Sequence, residues 1–403
     1  MKKSYLFKMT ILSVFLVSFL VIAGCSGGGG DAVFLSPSAE KPLKVFVTSA
    51  SGTGNLSTWP DAIAASATGI AAGDAVCQAR ATAAGLSGTY KAWLSDSATD
   101  AYCHVQGFTG TILTKCGQGT LPVAAGPWVR THDGFPFAPT IDKLVNIDQV
   151  YYPVRYDENG TSVTNLYYWT GTNAVGTYNS ACTDWTSNST GATYASPDAA
   201  SFSWTAYGGS GCGASYKLLC LQTGTGAPLP SITAPPSSKK VFVTSTSYDG
   251  NLGGIAGGDT KCQAHANSAG LANPGKFKAW LSDSTINAID RFALTAGPWY
   301  RLDGVKVADN KAALAASGTT PLPTAISVDE TGAYLTNYLL VWSGTDETGI
   351  KMPALNCVDW GSNVVTDIGT IGHANFSNKF WTNWNSSVGT CDGNFALYCF
   401  EDN

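Results

Sequence analysis

The first patterned segment is an apolar stretch from Met9 to Ala23, preceded by Lys2, Lys3 and Lys8 and ending in Ile22-Ala23-Gly24-Cys25. About fifteen residues is short of the roughly 20 that a spanning helix needs. A basic start with a short apolar body reads as an export signal. Further on the pattern changes to short alternations. Val45–Thr48 is β-branched and aromatic, which predicts a strand. Asp74 to Ala84 predicts a helix, with an acid in its first turn and Gly85 as its stop, and Asp259 to Ala269 before Gly270 predicts a second. Tyr90–Leu94 and Phe277–Leu281 read as buried strands, and Tyr167–Thr170 and Lys217–Leu221 as short strands among Gly, Ser, Thr and Asn. The sum is an α+β class, loop-rich and in need of covalent staples.

The elements recur. Lys44-Val45-Phe46-Val47-Thr48-Ser49 returns as Lys240-Val241-Phe242-Val243-Thr244-Ser245, and Lys91-Ala92-Trp93-Leu94-Ser95-Asp96-Ser97 as Lys278-Ala279-Trp280-Leu281-Ser282-Asp283-Ser284. Gly126-Pro127-Trp128 returns as Gly297-Pro298-Trp299, and Trp169-Thr170-Gly171-Thr172 as Trp342-Ser343-Gly344-Thr345. A period this long marks duplicated whole domains rather than a solenoid. The organisation predicted is a signal over 1–24, a Gly-rich tether over 25–42, domains over 43–223 and 239–403, and a linker over 224–238. Pro228, Pro230, Pro235 and Pro236 suggest a semi-extended spacer with few contacts to either core, so that each domain folds alone.

Composition narrows the function classes. Charged residues are 13% of the chain and the formal net charge is −5, which becomes −8 without the three signal lysines. An acidic balance argues against nucleic acid, which needs a basic footprint. Eleven cysteines include Cys25, and the remaining ten imply a disulfide framework in an exported chain. Cys77, Cys182, Cys212 and Cys220 match Cys262, Cys357, Cys391 and Cys399. Cys103 and Cys116 lie in an insertion particular to the first copy, which predicts that they pair with each other.

Ile22-Ala23-Gly24-Cys25 resembles the bacterial lipobox, whose cysteine is lipidated before cleavage. That resemblance implies a chain beginning at Cys25 and held to a membrane by acyl chains. Ser26 follows, where Asp would signal inner-membrane retention, so the expected location is the outer membrane or cell surface.

A second resemblance runs through both copies. Gly69 to Ala79, then Gly85-Leu86-Ser87-Gly88-Thr89-Tyr90-Lys91-Ala92-Trp93-Leu94-Ser95, is similar to the opening of endostatin, the C-terminal module of certain collagens. Trp169 to Asn173, Cys182-Thr183-Asp184-Trp185 and Leu219-Cys220 continue it in order. The chain most resembles the bacterial endostatin-like repeat family of surface lipoproteins, some of whose members are adhesins. The resemblance implies two tandem C-type-lectin-like domains. It also implies nested bridges, Cys77–Cys220 around Cys182–Cys212 and Cys262–Cys399 around Cys357–Cys391, where sequence alone leaves three connectivities per set. Endostatin's histidine-rich zinc segment and arginine-rich heparin face have no equivalent here.

Catalytic chemistry is not written into the pattern. His104, His132, His265 and His373 do not recur between copies, and no nucleophile elbow, phosphate loop or metalloprotease helix is present. The expectation is a protein without enzyme activity, cofactor or metal, whose partners are the membrane and an extracellular protein or glycan. A calcium lectin is the alternative. Trp381-Thr382-Asn383-Trp384-Asn385 before Cys391 is a loose echo of a lectin calcium loop, which makes Trp381, Asn383, Trp384 and Asn385 the candidate ligand loop. Asp184-Trp185 and Asp359-Trp360 read as a buried tryptophan with a carboxylate bonding loop amides, and Asp96, Asp283 and His132-Asp133 as turn residues.

Overall fold

The computed structural model describes residues 41–403, so the export signal, Cys25 and most of the tether lie outside the described residues. The fold is mixed α/β with five disulfides. In the first repeat β1 (Leu43–Val47), β2 (Tyr90–Ala92), β3 (Trp128–Arg130), β4 (Pro136–Ala138), β5 (Tyr168–Trp169), β6 (Gly191–Ala195), β7 (Gly208–Gly211) and β8 (Lys217–Gln222) form one sheet. The order is β4-β3-β1-β8-β5-β6-β7, with β2 also on β8. In the second, β9 (Lys239–Val243), β10 (Phe277–Ala279), β11 (Trp299–Tyr300), β12 (Lys306–Ala308) and β16 (Tyr398–Glu401) form a five-stranded sheet. Beside it β13 (Leu340–Trp342), β14 (Ile368–His373) and β15 (Val388–Thr390) form a smaller one. The parallel pairing of β5 with β8 survives in the second repeat as the single bridge Val341–Ala396.

Five tryptophan pairs frame both repeats: Trp93/Trp280, Trp128/Trp299, Trp169/Trp342, Trp185/Trp360 and Trp204/Trp381 are all fully buried. Four of the pairs repeat their hydrogen bonds as well as their packing. The Trp93 and Trp280 indoles each donate at 2.8 Å to Thr205 and Thr382, and Trp185 and Trp360 donate to the carbonyls of Ser95 and Ser282. Trp128 and Trp299 reach Gln222 and Glu401, while Trp169 and Trp342 reach Gly52 and Tyr248. A buried indole N–H usually finds a partner, and these bonds fix ring orientation as well as position.

The helices start earlier than the pattern predicts, at Gly69–Ala83 and Gly254–Ser268. Their glycine-rich beginnings argue against helix by propensity. Packing overrides this, because a Cβ at Gly73 or Gly258 would sit 2.5 or 2.7 Å from Leu94 or Leu281. Asp74 and Asp259 are therefore interior residues rather than first-turn acids. Each accepts the backbone N–H of the adjoining strand, Ala92 at 3.0 Å and Ala279 at 2.8 Å, and so ties helix to sheet.

The bridges are Cys77–Cys220, Cys182–Cys212, Cys103–Cys116, Cys262–Cys399 and Cys357–Cys391. Cys77–Cys220 spans 143 residues, worth about 4–5 kcal/mol in the loop-entropy model. The second bridge of each repeat anchors a turn with four successive positive φ angles, 50–66° over Cys182–Trp185 and 49–62° over Cys357–Trp360. Left-handed backbone costs about 1–2 kcal/mol per non-glycine residue, so the turn must be held from outside. Asp184 accepts both the N–H (2.8 Å) and hydroxyl (2.7 Å) of Ser97, and Asp359 does the same to Ser284. Asp96 and Asp283 cap the following turns by accepting from Thr99 and Ile286. Asp133 pairs with Arg130 and accepts the N–H of Phe135 in the turn at Gly134.

The linker makes more contacts than a free spacer would. The described chain forms one compact unit. The linker folds back: Gly226 N–H donates to Gly126 at 2.8 Å and Ala227 N–H to Lys41 at 3.2 Å. Pro228, Leu229, Pro230 and Ile232 line a groove of about 530 Å³ with Pro127, Pro139 and Tyr151. Proline's missing donor removes few hydrogen bonds from such a segment, so its rings are free to pack.

A candidate binding face across the seam between the repeats

Backbone and side chains both stitch the repeats together. Ala200 N–H donates to Asn375 at 2.8 Å and Ser377 N–H to Asp198 at 3.0 Å. Arg155, buried, crosses the seam to the carbonyls of Pro321 (3.2 Å) and Pro323 (3.3 Å) and the hydroxyl of Ser377 (2.7 Å). Arg301 crosses the other way to the carbonyl of Val150 at 3.2 Å while pairing with Asp303. Asp198, wholly buried, accepts the N–H of Asn165 at 2.7 Å and the amide of Asn378 at 3.3 Å. Burial pushes its carboxyl up from the ordinary range, and the positive charge of Arg155 pulls it back.

Above this seam lies a run of aromatic rings. Tyr167, Tyr194 and Tyr216 pack at 4.9–5.6 Å, and Tyr207 joins them at 5.7 Å from Tyr194 and 5.9 Å from Tyr167. Tyr207 then meets Phe376 of the second repeat at 5.0 Å, and His373, Tyr338 and Trp384 continue the run at 4.1–5.7 Å. The four tyrosines of repeat one are half-buried and Tyr338 is exposed, so the run is partly open to solvent. Burial pushes the Tyr167 hydroxyl up to about 12, which keeps it a neutral donor at physiological pH. The strand beside them is Gly208-Gly209-Ser210-Gly211: Gly208 lies against the Tyr194 ring, and the Tyr216 hydroxyl donates to Ser210 at 3.2 Å.

The candidate ligand loop divides between core and rim. Trp381 is a core residue: its ring is fully buried against Trp280 at 5.0 Å and its N–H donates to Ser317 at 2.9 Å. It presents no face to a ligand, because it fills the same framework position as Trp204. Asn383 is buried as well, donating to Glu347 at 3.2 Å and accepting from Ser386 at 3.0 Å. An amide with both ends engaged is not poised for calcium. Among the described residues no group of three or more His, Cys, Asp or Glu side chains gathers where it could hold a metal ion. Trp384 stays half-buried in the aromatic run, and Asn385 is exposed at the rim of a seam pocket.

The histidines are placed separately. His104 binds Asp74 at 2.8 Å, and His132 packs on Tyr156. His265 links Tyr248 (2.8 Å) to Glu330 (2.7 Å), which also takes the N–H of Ser245 at 2.9 Å. Hydrogen bonds from His265 and Ser245 hold the Glu330 carboxyl down at about 2 against its burial. His373 is buried and desolvation pushes it down to about 3, so it acts as a neutral ring within the aromatic run.

Sequence reading missed the arginine–aspartate seam and the tyrosine run. Neither Arg155 nor Asp198 belongs to a recurring motif, and contact between repeats leaves no periodicity. The tyrosines left one signal: backbone pairing aligns Tyr167, Tyr194, Tyr207 and Tyr216 with Leu340, Ile371, Trp384 and Phe395, so none recurs as tyrosine.

None of the curated proteins compared matches the chain. A family model described as a protein of unknown function (DUF1554) matches residues 245–377, inside the second repeat.

Proposed function

We propose that this protein is a non-enzymatic surface lipoprotein that binds an extracellular protein or polymer through the aromatic face at the seam. The observation that carries the reading is the tyrosine cluster beside the Gly208–Gly211 strand, where Ser210 meets Tyr216. Tyrosine offers a large, stiff, amphipathic contact at low entropic cost, and small polar neighbours adapt their hydrogen bonds to a partner. Tyrosine is also over-represented among the residues that dominate binding energy. On this reading the chain carries two tandem endostatin-like, C-type-lectin-like domains and is anchored through Cys25 at the outer membrane. The duplicated tryptophan framework and the nested bridges support the fold assignment. The two repeats act as one rigid face, because the seam is locked by backbone bonds and two buried arginines.

The test is adhesion of a soluble fragment, residues 41–403, to surfaces coated with purified matrix proteins and polysaccharides. Saturable adhesion is expected to at least one coating. A Tyr167→Leu, Tyr194→Ile, Tyr216→Phe variant, carrying the repeat-two residues, is expected to fold and to lose it. Equal adhesion by this variant would refute the assignment of the face. Anchoring is tested separately: the full chain is expected to partition with membranes and Cys25→Ser to appear in the soluble fraction.

A further inference from the structure

Between the repeats, next to the aromatic run, a pocket of about 370 Å³ opens. Asn165 and Tyr167 line it from the first repeat, and Asn378, Lys379, Phe380 and Asn385 from the second. We propose that this pocket holds one sugar residue of a glycan, and that it does so without calcium. The proposal rests on the binding reading above and narrows its ligand class.

The size falls in the range of small-ligand sites, and domain interfaces are where such sites concentrate. The floor is prebuilt. Asp198 lies beneath it, fully buried, holding the N–H of Asn165 and the amide of Asn378. The Asn378 amide also donates to the Asn165 side-chain oxygen at 3.0 Å, and its own oxygen accepts the N–H of Phe380 at 3.1 Å. Groups fixed from behind in this way lose little entropy when a ligand arrives. At the rim, the Lys379 ammonium and the Asn385 amide are tied to no described side chain.

The chemistry of the lining selects the ligand. Among the described residues no carboxylate lines the pocket, and Asp198 beneath it is enclosed by Asn165 and Asn378, so the lining is not built for a cation. One ammonium is too little for a polyphosphate. Asn378 is spent on the floor, which leaves the Asn165 Nδ2 group and the Asn385 amide to face a ligand; a carboxamide donates and accepts at once, as vicinal hydroxyls do. Tyr167 and Phe380 supply apolar walls for the C–H face of a pyranose ring. A single repeat would hold half the site. In repeat one Asn378, Lys379 and Phe380 are matched by Ser201, Phe202 and Ser203, which follow from the Trp204/Trp381 equivalence.

The experiment uses the 41–403 fragment on an array of defined oligosaccharides in EDTA, with titration of the retained sugars by calorimetry. Binding is expected in EDTA. Lys379→Ala and Asn385→Gly, the glycine chosen because the backbone there is left-handed (φ 52°), are each expected to weaken it at least tenfold with the thermal midpoint unchanged. Three results would overturn the proposal: no oligosaccharide retained, retention undiminished in both variants, or retention that requires calcium. If the array stays empty while matrix-coated surfaces still hold the fragment, the sugar assignment alone falls. If neither is bound, the binding face falls with it.

Discussion

Position for position, the outer strands of the two repeats carry tyrosine against hydrocarbon. Tyr167 faces Leu340 across the duplication, Tyr194 faces Ile371, Tyr207 faces Trp384, and Tyr216 faces Phe395. The framework beneath is unchanged, down to the tryptophan hydrogen bonds and the left-handed turns. Leu340, Trp384 and Phe395 are half-buried like the tyrosines, and only Ile371, 3% exposed, is buried outright. In repeat one each position adds a hydroxyl to a half-buried ring. A fold that is stapled and braced by tryptophans tolerates either choice, so the outer positions are free to specialise. The same contrast holds at the seam. Arg155 of repeat one stands where repeat two has Ser327, since Tyr156 and Val328 both accept from the paired strand residues Val47 and Val243. Only the arginine is long enough to cross.

The largest effect should come from separating the repeats. Residues 239–403 alone would expose Phe376, Ser377 and Asn378 and strip Arg301 of the Val150 carbonyl. We predict that this fragment melts at least 10 °C below residues 41–403 when both are oxidised, as read by calorimetry. An equal midpoint would mean that the seam contributes nothing to stability.

Arg155→Ala should follow. It leaves two carbonyls and a hydroxyl of repeat two without their donor and Asp198 without its nearest positive charge. Breaking a buried charged network costs about 3–5 kcal/mol, and urea unfolding should register roughly that. Ser327→Ala, at the equivalent position, removes one acceptor of Arg301 and should cost about 1 kcal/mol. Equal losses would erase the asymmetry.

The pH response should also differ between repeats. Burial pushes the Asp148 carboxyl up to about 7, so the folded state favours its neutral form. That contribution is complete below the unfolded value near 4 and is lost as pH rises through 7. Glu330, held down at about 2, contributes above its unfolded value near 4.5, and the contribution fades only as pH falls toward 2. Lowering pH from 8 to 5 should therefore raise the melting midpoint. Asp148→Asn should gain about 2 kcal/mol at pH 8 and flatten that rise. A midpoint that falls between pH 8 and 5 in the wild type would contradict the placement of Asp148.

The smallest effect on stability is expected from the tyrosine replacements by their repeat-two counterparts. Each swap keeps similar volume and should cost less than about 1.5 kcal/mol. Adhesion is the quantity that should move, and its loss without unfolding would separate the face from the framework.

Much of the scaffold could be read from residues alone. Duplication placed the tryptophans and cysteines in register, and an insertion with two cysteines of its own pointed to Cys103–Cys116. Helix starts were misplaced because Gly73 and Gly258 look like breakers until a leucine is seen to need their space. Trp381 resembled a ligand residue because a buried and an exposed indole share one letter. The duplicated framework was determined by local and repeated signals: turn residues, strand alternation, a cysteine register. The joining of the repeats, the fold-back of the proline linker, the tyrosine run and the seam pocket were decided only in three dimensions. They depend on pairs such as Arg155 with Ser377, 222 residues apart, and contact at such a distance imposes no period or spacing on the chain.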